Sequence, residues 1–409
     1  MVVVRQKMDW WVFMLYLIIS LWSILTLYFI EVSSGESTGV WQRQAMWLAI
    51  SLFIGFIILM IDSQLILSFS WLFYAVAILL MLAAIVQGQV VRNIQAWVVV
   101  GGFRFQPVEL AKVATALMVA KWLSKRKPSA ITAIKGSLWA VLPALLAMAQ
   151  KDWGSAMTFA SIPLALTYVG FPWVLVIAGI ALYLVLLAII AGYMKYLLIF
   201  YGLVLLVLSF VFRKQKVYIK YVISGVLLAV LITLSMEWAF TKILKPYQQQ
   251  RLKVLVGQEM DPRGSAYNVI QAENAIAYGG LTGTGLGQGF FTSFKFVPEQ
   301  TTDFIFCAVA EETGFIGGTI LMVLYIALIL RMITYVSRHR SIIIKVYAHA
   351  AASFFLIHVL INLGMVLGLL PVIGIPLPLF SYGGSQMLSF SIMVFIYLNL
   401  SRERYTLLR

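Results

Sequence analysis

Long apolar blocks separated by short polar connections fill almost the whole chain. A bilayer core of about 30 Å needs roughly 20 helical residues to cross it. By length and apolarity the chain divides into about twelve spans. They lie near 10–31, 44–62, 66–87, 105–123, 134–150, 155–169, 172–192, 195–212, 218–240, 303–331, 346–370 and 383–401. The sixth and eighth are short enough to be re-entrant or tilted. The first starts near Trp10 and is too long for a signal-peptide core. No clean small-residue cleavage site follows it, so it reads as a retained span. The pattern predicts an all-α polytopic membrane protein, a single integral membrane domain over 1–409, with no internal repeat.

Composition agrees, with 62% hydrophobic and 11% charged residues. The single cysteine, Cys307, excludes a disulfide framework. The net charge of +15 does not imply nucleic acid, because the cations follow topology. Arg5 and Lys7, Lys121 to Lys127, Arg213 to Lys220, Arg331 to Lys345 and Arg402 to Arg409 all fall on one side when the spans are counted in order. The positive-inside rule makes that side the cytoplasm, with both termini there. The 88–104 and 371–382 connections and a polar island over 241–302 then face outside.

The island is the one long stretch that cannot cross a bilayer. Its AYNVIQAENAIAYGG segment has helical apolar spacing and a glycine stop, which predicts an amphipathic helix along the outer surface. Gly283, Gly285, Gly287 and Gly289 follow. They match neither a Walker loop nor a dinucleotide fingerprint. They read as a flexible loop or as a place of close backbone approach to a substrate.

The island runs through PEQTTDFIF into an apolar helix, so Asp303 stands where the chain leaves water. It reads either as a helix cap or as a general base or cation ligand at the boundary. Glu311 and Glu312 lie about 12–13 Å deeper, too far for a glycosidase-like pair with Asp303, and read as hydrogen-bonded bundle residues. Glu109 and Lys112 are spaced i, i+3 behind Pro107 and can pair. Alternatively they line an outer cavity with Arg104, where the cations would suit phosphate. Asp152 caps the next helix or joins that cavity, and Trp153 reads as an interfacial anchor. Pro371, Pro376 and Pro378 forbid a regular helix, so the 371–382 segment reads as a re-entrant wall behind His358 and Asn362. A lone buried His is more often a hydrogen-bonded core group than a catalyst. No Cys/His cluster suggests zinc.

FRFQPVELAK, PYQQQRLKVLVGQEMDPRGSAYNVIQAENAIAYGGLTGTG, FVPEQTTDFIFCAVAEETGF and GLLPVIGIPLPLFSYGGS together resemble the SEDS family (shape, elongation, division and sporulation). The PVIGIPLPL loop resembles that of elongation-type rather than division-type members. The resemblance implies a SEDS-like helical bundle with a large extracytoplasmic loop. The family core of ten spans would carry about two extra within 170–240. It implies a peptidoglycan glycosyltransferase in the bacterial inner membrane that polymerises lipid II, releases undecaprenyl pyrophosphate and partners a class B penicillin-binding protein. The family's essential aspartate falls on Asp303, its fourth-span polar pair on Glu109 and Lys112, and its RFQP arginine on Arg104. Asp152, Arg251, Ser381 and Ser385 complete the expected pyrophosphate or sugar cavity. KDWG at 151–154 departs from the family's more usual PDLG. The chemistry needs a base for a sugar hydroxyl and cationic help for the pyrophosphate. A divalent cation (Mg2+ or Mn2+) held by Asp303 could give that help, and no organic cofactor is implied. The rival reading is a lipid II flippase, against which stand the lack of inverted repeats and the gathering of charge at the outer side.

Overall fold

The computed structural model describes residues 3–5, 8–35, 37–91, 94–100, 103–211, 216–243, 249, 265–337, 339 and 341–405. They form two compact units, described separately: one of 1–172, 270–367 and 373–409, the other of 173–269 and 368–372.

The larger unit begins with β1 (Val3–Arg5), α1 (Trp10–Ser33) and α2 (Val40–Met60). The short α3 (Ser63–Ser68) leads into α4 (Ser70–Gln87). The expected outer loop at 88–104 is instead an antiparallel sheet of β2 (Gln89–Val91), β3 (Ile94–Val100) and β4 (Phe103–Phe105). Its QVV and IQAWVVV runs are β-branched, and the structure pairs them where a reading by span length saw only a connection.

Helix α5 (Pro107–Leu123) follows, with Pro107 at its first position. It is seventeen residues long and carries Glu109 and Lys112, yet almost every residue is buried. Its alanines let neighbouring helices come close on all sides, so protein rather than lipid surrounds it. Next come α6 (Ala130–Ser137), a 3-10 turn over 138–140 and α7 (Val141–Ala149). The sixth expected span is not one helix but α8 (Trp153–Thr158), α9 (Ser161–Leu166) and a 3-10 turn. Its buried Ser155, Thr158 and Ser161 leave too little apolar length for a single crossing.

The smaller unit holds α10 (Trp173–Ile190), α11 (Met194–Val211) and α12 (Lys216–Trp238), ending in a π-helical turn over Ala239–Ile243. Tyr201 Oη and Thr233 Oγ1 meet at 3.1 Å. Leu175, Ile177, Leu203 and Leu227 lie exposed, the apolar surface expected of lipid-facing helices.

The island contributes α13 (Ser265–Gly279), on the amphipathic segment, and α14 (Phe290–Ser293). Three long helices close the chain: α15 (Ile305–Ser337), α16 (Ile342–Val366) and α17 (Gly384–Ser401), followed by β5 (Glu403–Tyr405). β5 pairs with β1, so the first and last described strands meet. At that end Asp9 is buried and held by Arg331 Nε at 3.0 Å, with Tyr397 Oη at 3.5 Å. Nine described helices are long and apolar enough to cross a membrane, by length and composition only. The fourth expected span, a 17-residue helix, and the broken sixth fall short of that length, and of the eighth the shorter apolar stretch Met194–Ser209 is described.

Helix α15 is broken at Gly314 (φ 68°, ψ −168°). The glycine-rich loop closes the gap. Thr284 N–H and Gly285 N–H donate to the carbonyls of Glu311 and Glu312, and Phe315 N–H and Ile316 N–H donate to those of Gly280 and Leu281. The close approach expected of these glycines is therefore to a broken helix turn, and the loop is ordered against it. A Cβ at Gly283 (φ 82°) would collide with the Glu312 carbonyl. Gly283→Ala should cost about 1–3 kcal/mol through strain and collision. Thermal unfolding in detergent checks this, and an unshifted transition would contradict it.

Candidate functional site

Asp303 is half-buried, two residues ahead of α15. What holds it is the irregular segment that follows α16. Such backbone at membrane depth must find partners in the protein, and between Ile375 and Ser381 it does so carbonyl by carbonyl. Asn362 Nδ2 donates to Ile375 O at 2.8 Å, Gln386 Nε2 to Pro376 O at 3.0 Å and Tyr325 Oη to Pro378 O at 2.6 Å. Ser23 Oγ donates to Phe380 O, and Gln44 Nε2 to Ser381 O at 3.1 Å. Leu379 sits at φ 64°, a strained conformation for a leucine that this surrounding network sustains.

The same residues grip the aspartate. Asn362 Nδ2 also donates to the Asp303 carbonyl at 2.7 Å, joining it to the wall through one amide. Ser381 Oγ donates to Thr302 O at 2.6 Å while accepting from Leu377 N–H at 2.8 Å, and Tyr382 N–H donates to Thr301 O at 2.9 Å. A Cβ at Gly374 (φ 74°) would lie 3.4 Å from Asp303 Oδ2, so the wall passes directly beside the carboxylate. Asn362→Leu should orphan two carbonyls at about 1–3 kcal/mol each. It should lower the unfolding temperature and let the Asp303 segment drift. A variant matching wild type in both unfolding and activity would contradict this.

The other expected residues divide into groups. Ser385 Oγ accepts from Gln106 N–H at 3.1 Å, and Gln106 Nε2 donates to Asp152 Oδ2 at 2.7 Å. Asp152 Oδ1 accepts from Ser155 N–H at 2.9 Å. Asp152 thus caps α8 and also ties it to the start of α5. Lys112, 2% exposed, donates to Glu109 Oε1 at 2.6 Å and to His358 Nε2 at 2.9 Å. His358 Nδ1 faces the Phe354 carbonyl at 2.8 Å, which fixes the proton there and leaves Nε2 to accept. Lys112 is therefore engaged on two sides within the bundle, and His358 is the hydrogen-bonded core group the sequence suggested. Arg104 is exposed on β4, and Arg251 lies outside the described residues. Glu311 accepts from Phe291 N–H, Thr292 N–H and Thr292 Oγ1, holding α14 from within as a structural carboxylate.

The sequence reading passed over Gln44, Gln386 and Arg43. Arg43 donates to Thr38 O at 2.8 Å and lies 5.7 Å over the Tyr382 ring, next to the segment leading to Asp303. The intervals VWQRQAMW and GGSQMLSF, polar positions inside apolar helices, were the available signal.

Among the described residues no three His, Cys, Asp or Glu side chains come together as a metal centre. A Mg2+ bound by one carboxylate and substrate phosphates needs no such cage. Asp303, beside exposed backbone at Gly374, suits that arrangement.

Fold and site define a polytopic helical membrane protein whose wall-held carboxylate stands at one mouth of its bundle. The family model FTSW_RODA_SPOVE, described as cell cycle protein, matches residues 6–201 and 195–406. Peptidoglycan glycosyltransferase MrdB of Escherichia coli (strain K12) is 32% identical over 359 residues, 87% of this chain and 84% of that one. Stage V sporulation protein E of Bacillus subtilis (strain 168) is 31% identical over 372 residues, 89% of this chain and 87% of its own. The chain belongs to this family, the SEDS proteins. Its fold matches a chain of the structure reported as "Structural coordination of polymerization and crosslinking by a peptidoglycan synthase complex", at TM-score 0.72 and 24% identity, covering 98% of this chain and 99% of that chain. It also matches the crystal structure of Thermus thermophilus rod shape determining protein RodA, at TM-score 0.63 and 21% identity, covering 98% of both.

Proposed function

We propose that this chain is a peptidoglycan glycosyltransferase that polymerises lipid II at the outer face of the bacterial cytoplasmic membrane during cell elongation. The observation that carries the chemistry is the grip on Asp303, whose backbone and neighbours are fixed by Asn362, Ser381 and Tyr382 while its side chain stays half-exposed. A general base must be positioned before anything else. Asp303 takes the proton from the acceptor sugar's 4-hydroxyl as that oxygen bonds to the donor's anomeric carbon. The bond from that carbon to the pyrophosphate oxygen breaks, and undecaprenyl pyrophosphate leaves. On the alternative role, Asp303 would instead help hold a divalent cation, which would supply charge neutralisation for the leaving group. Arg43 and Arg104, both exposed, are the side-chain cations this reading assigns to the pyrophosphate. Lys112 serves instead to hold α5 against α16. Cytoplasmic termini are part of this reading, supported by the pairing of β1 with β5 and by the bias of Lys and Arg among the connections. The relatives' names support the activity. The partner is a class B penicillin-binding transpeptidase, supported by the likeness to a chain from a synthase complex.

The test is to supply labelled lipid II to the purified protein with a co-expressed class B transpeptidase. Long glycan strands are expected. No strands, together with lipid II translocation in proteoliposomes, would overturn the polymerase reading in favour of a flippase.

A further inference from the structure

The island carries a cluster of rings that the catalytic account does not use. Phe290 stacks on Phe296 with centroids 5.5 Å apart, touches Phe294 at 5.1 Å and meets Tyr278 at 6.1 Å. Phe294 is 67% exposed, and Leu281 and Leu286 of the preceding loop are exposed too. Two helices measure the height of this cluster independently. Asp9 and Arg331 form a charged pair at one end of the bundle, and the cost of burying charge in lipid makes that level the natural origin for one edge of the hydrocarbon. Along α1, Phe29 lies about 28 Å above Trp10 at about 1.5 Å per residue. A Cβ at Gly287 would sit 3.4 Å from Phe29 Cδ1, so the loop lies at that level. Along α15, Phe315 lies about 24 Å above Arg331. The loop is bonded there through Gly280 and Leu281. Both figures fall just inside the far edge of an apolar core about 30 Å thick. The cluster also continues through Leu281 into Phe315 and Ile316, the top of the exposed apolar stripe that α15 presents through Ile320, Val323 and Ile326.

We propose that Tyr278, Leu281, Leu286, Phe290, Phe294 and Phe296 form an interfacial anchor seated at the headgroup–acyl boundary of the leaflet on the Asp303 side. Aromatic rings favour that layer. The anchor is fixed from within by Glu311, which holds Phe291 N–H and Thr292 N–H, and the chain runs from it through Val297 to Asp303. Its effect is to fix the depth of the wall-held carboxylate relative to the bilayer surface, so that, on the function proposed above, it meets the anomeric carbon of a lipid-linked pyrophosphate.

Cys307 is the chain's one cysteine and is buried, so a new surface thiol labels alone. Phe294→Cys, labelled with an environment-sensitive nitrobenzoxadiazole dye, is placed in phosphatidylethanolamine/phosphatidylglycerol nanodiscs. The expected result is blue-shifted emission, quenched by lipids bearing nitroxide at the top of the acyl chain and hardly by aqueous iodide. Leu286→Cys carries the same test if Phe294→Cys fails to fold. Dominant iodide quenching would overturn the anchor. So would shielding from both quenchers, which would show a protein surface covering the rings. The measurement uses no catalysis, so its failure leaves the glycosyltransferase reading standing.

Discussion

Lys112→Met is expected to be among the most destabilising single changes in the chain. It would leave the Glu109 carboxylate buried without its cation and His358 Nε2 without a donor, inside a helix packed on all sides. Breaking a buried pair from one side costs about 3–5 kcal/mol. The double variant Glu109→Leu/Lys112→Met removes both charges and should recover much of that loss, since apolar replacement of a buried pair is often close to neutral. Thermal unfolding of the wild type, both single variants and the double variant in nanodiscs measures the coupling. Additive losses would contradict a structural pair. The double variant also separates the two roles assigned to Lys112. A bundle strut predicts that the refolded double variant keeps activity, whereas a pyrophosphate cation predicts a folded but inactive protein.

Asp303→Asn has the largest expected effect on activity. The amide keeps the size of the side chain and, because Asn362 and Ser381 bind the neighbouring backbone and not the carboxylate, it keeps that part of the grip. It cannot take a proton. Polymerisation should fall by about 10²–10⁴-fold, the usual contribution of a general base. The unfolding temperature should stay near wild type. If the variant lost activity only by unfolding, the carboxylate would be structural and the assignment would fail. Asp303→Glu retains the base but moves it by a methylene. It should recover part of the rate if position is what the wall provides.

The features readable from sequence were those written in one stretch of chain. Span lengths followed from runs of apolar residues. The Glu109–Lys112 pair followed from i, i+3 spacing, and Asp152 as a cap from its place before a helix. Asp303 stood out because a carboxylate at a membrane entrance is costly to place by accident. The network that makes Asp303 usable was hidden. Gln44 reaches Ser381, and Asn362 reaches both Asp303 and Ile375, and in each case the partner is a backbone carbonyl with no sequence signature. The Pro-rich wall announced that its carbonyls needed partners, but not which distant amides would supply them. The glycine-rich loop misled for a related reason. Gly283 signals close approach, yet only the fold shows that what it approaches is the broken turn at Gly314. The β2–β4 sheet was not legible because its β-branched runs are short and lie in a connection between spans.

The most direct test of the central claim is glycan-strand synthesis from labelled lipid II, with wild type and Asp303→Asn side by side. Both are embedded in nanodiscs with the transpeptidase partner and checked for equal folding. Long strands from wild type and none above background from the variant are the predicted result. Equal strand synthesis from both would contradict the claim that the wall-held carboxylate performs the chemistry.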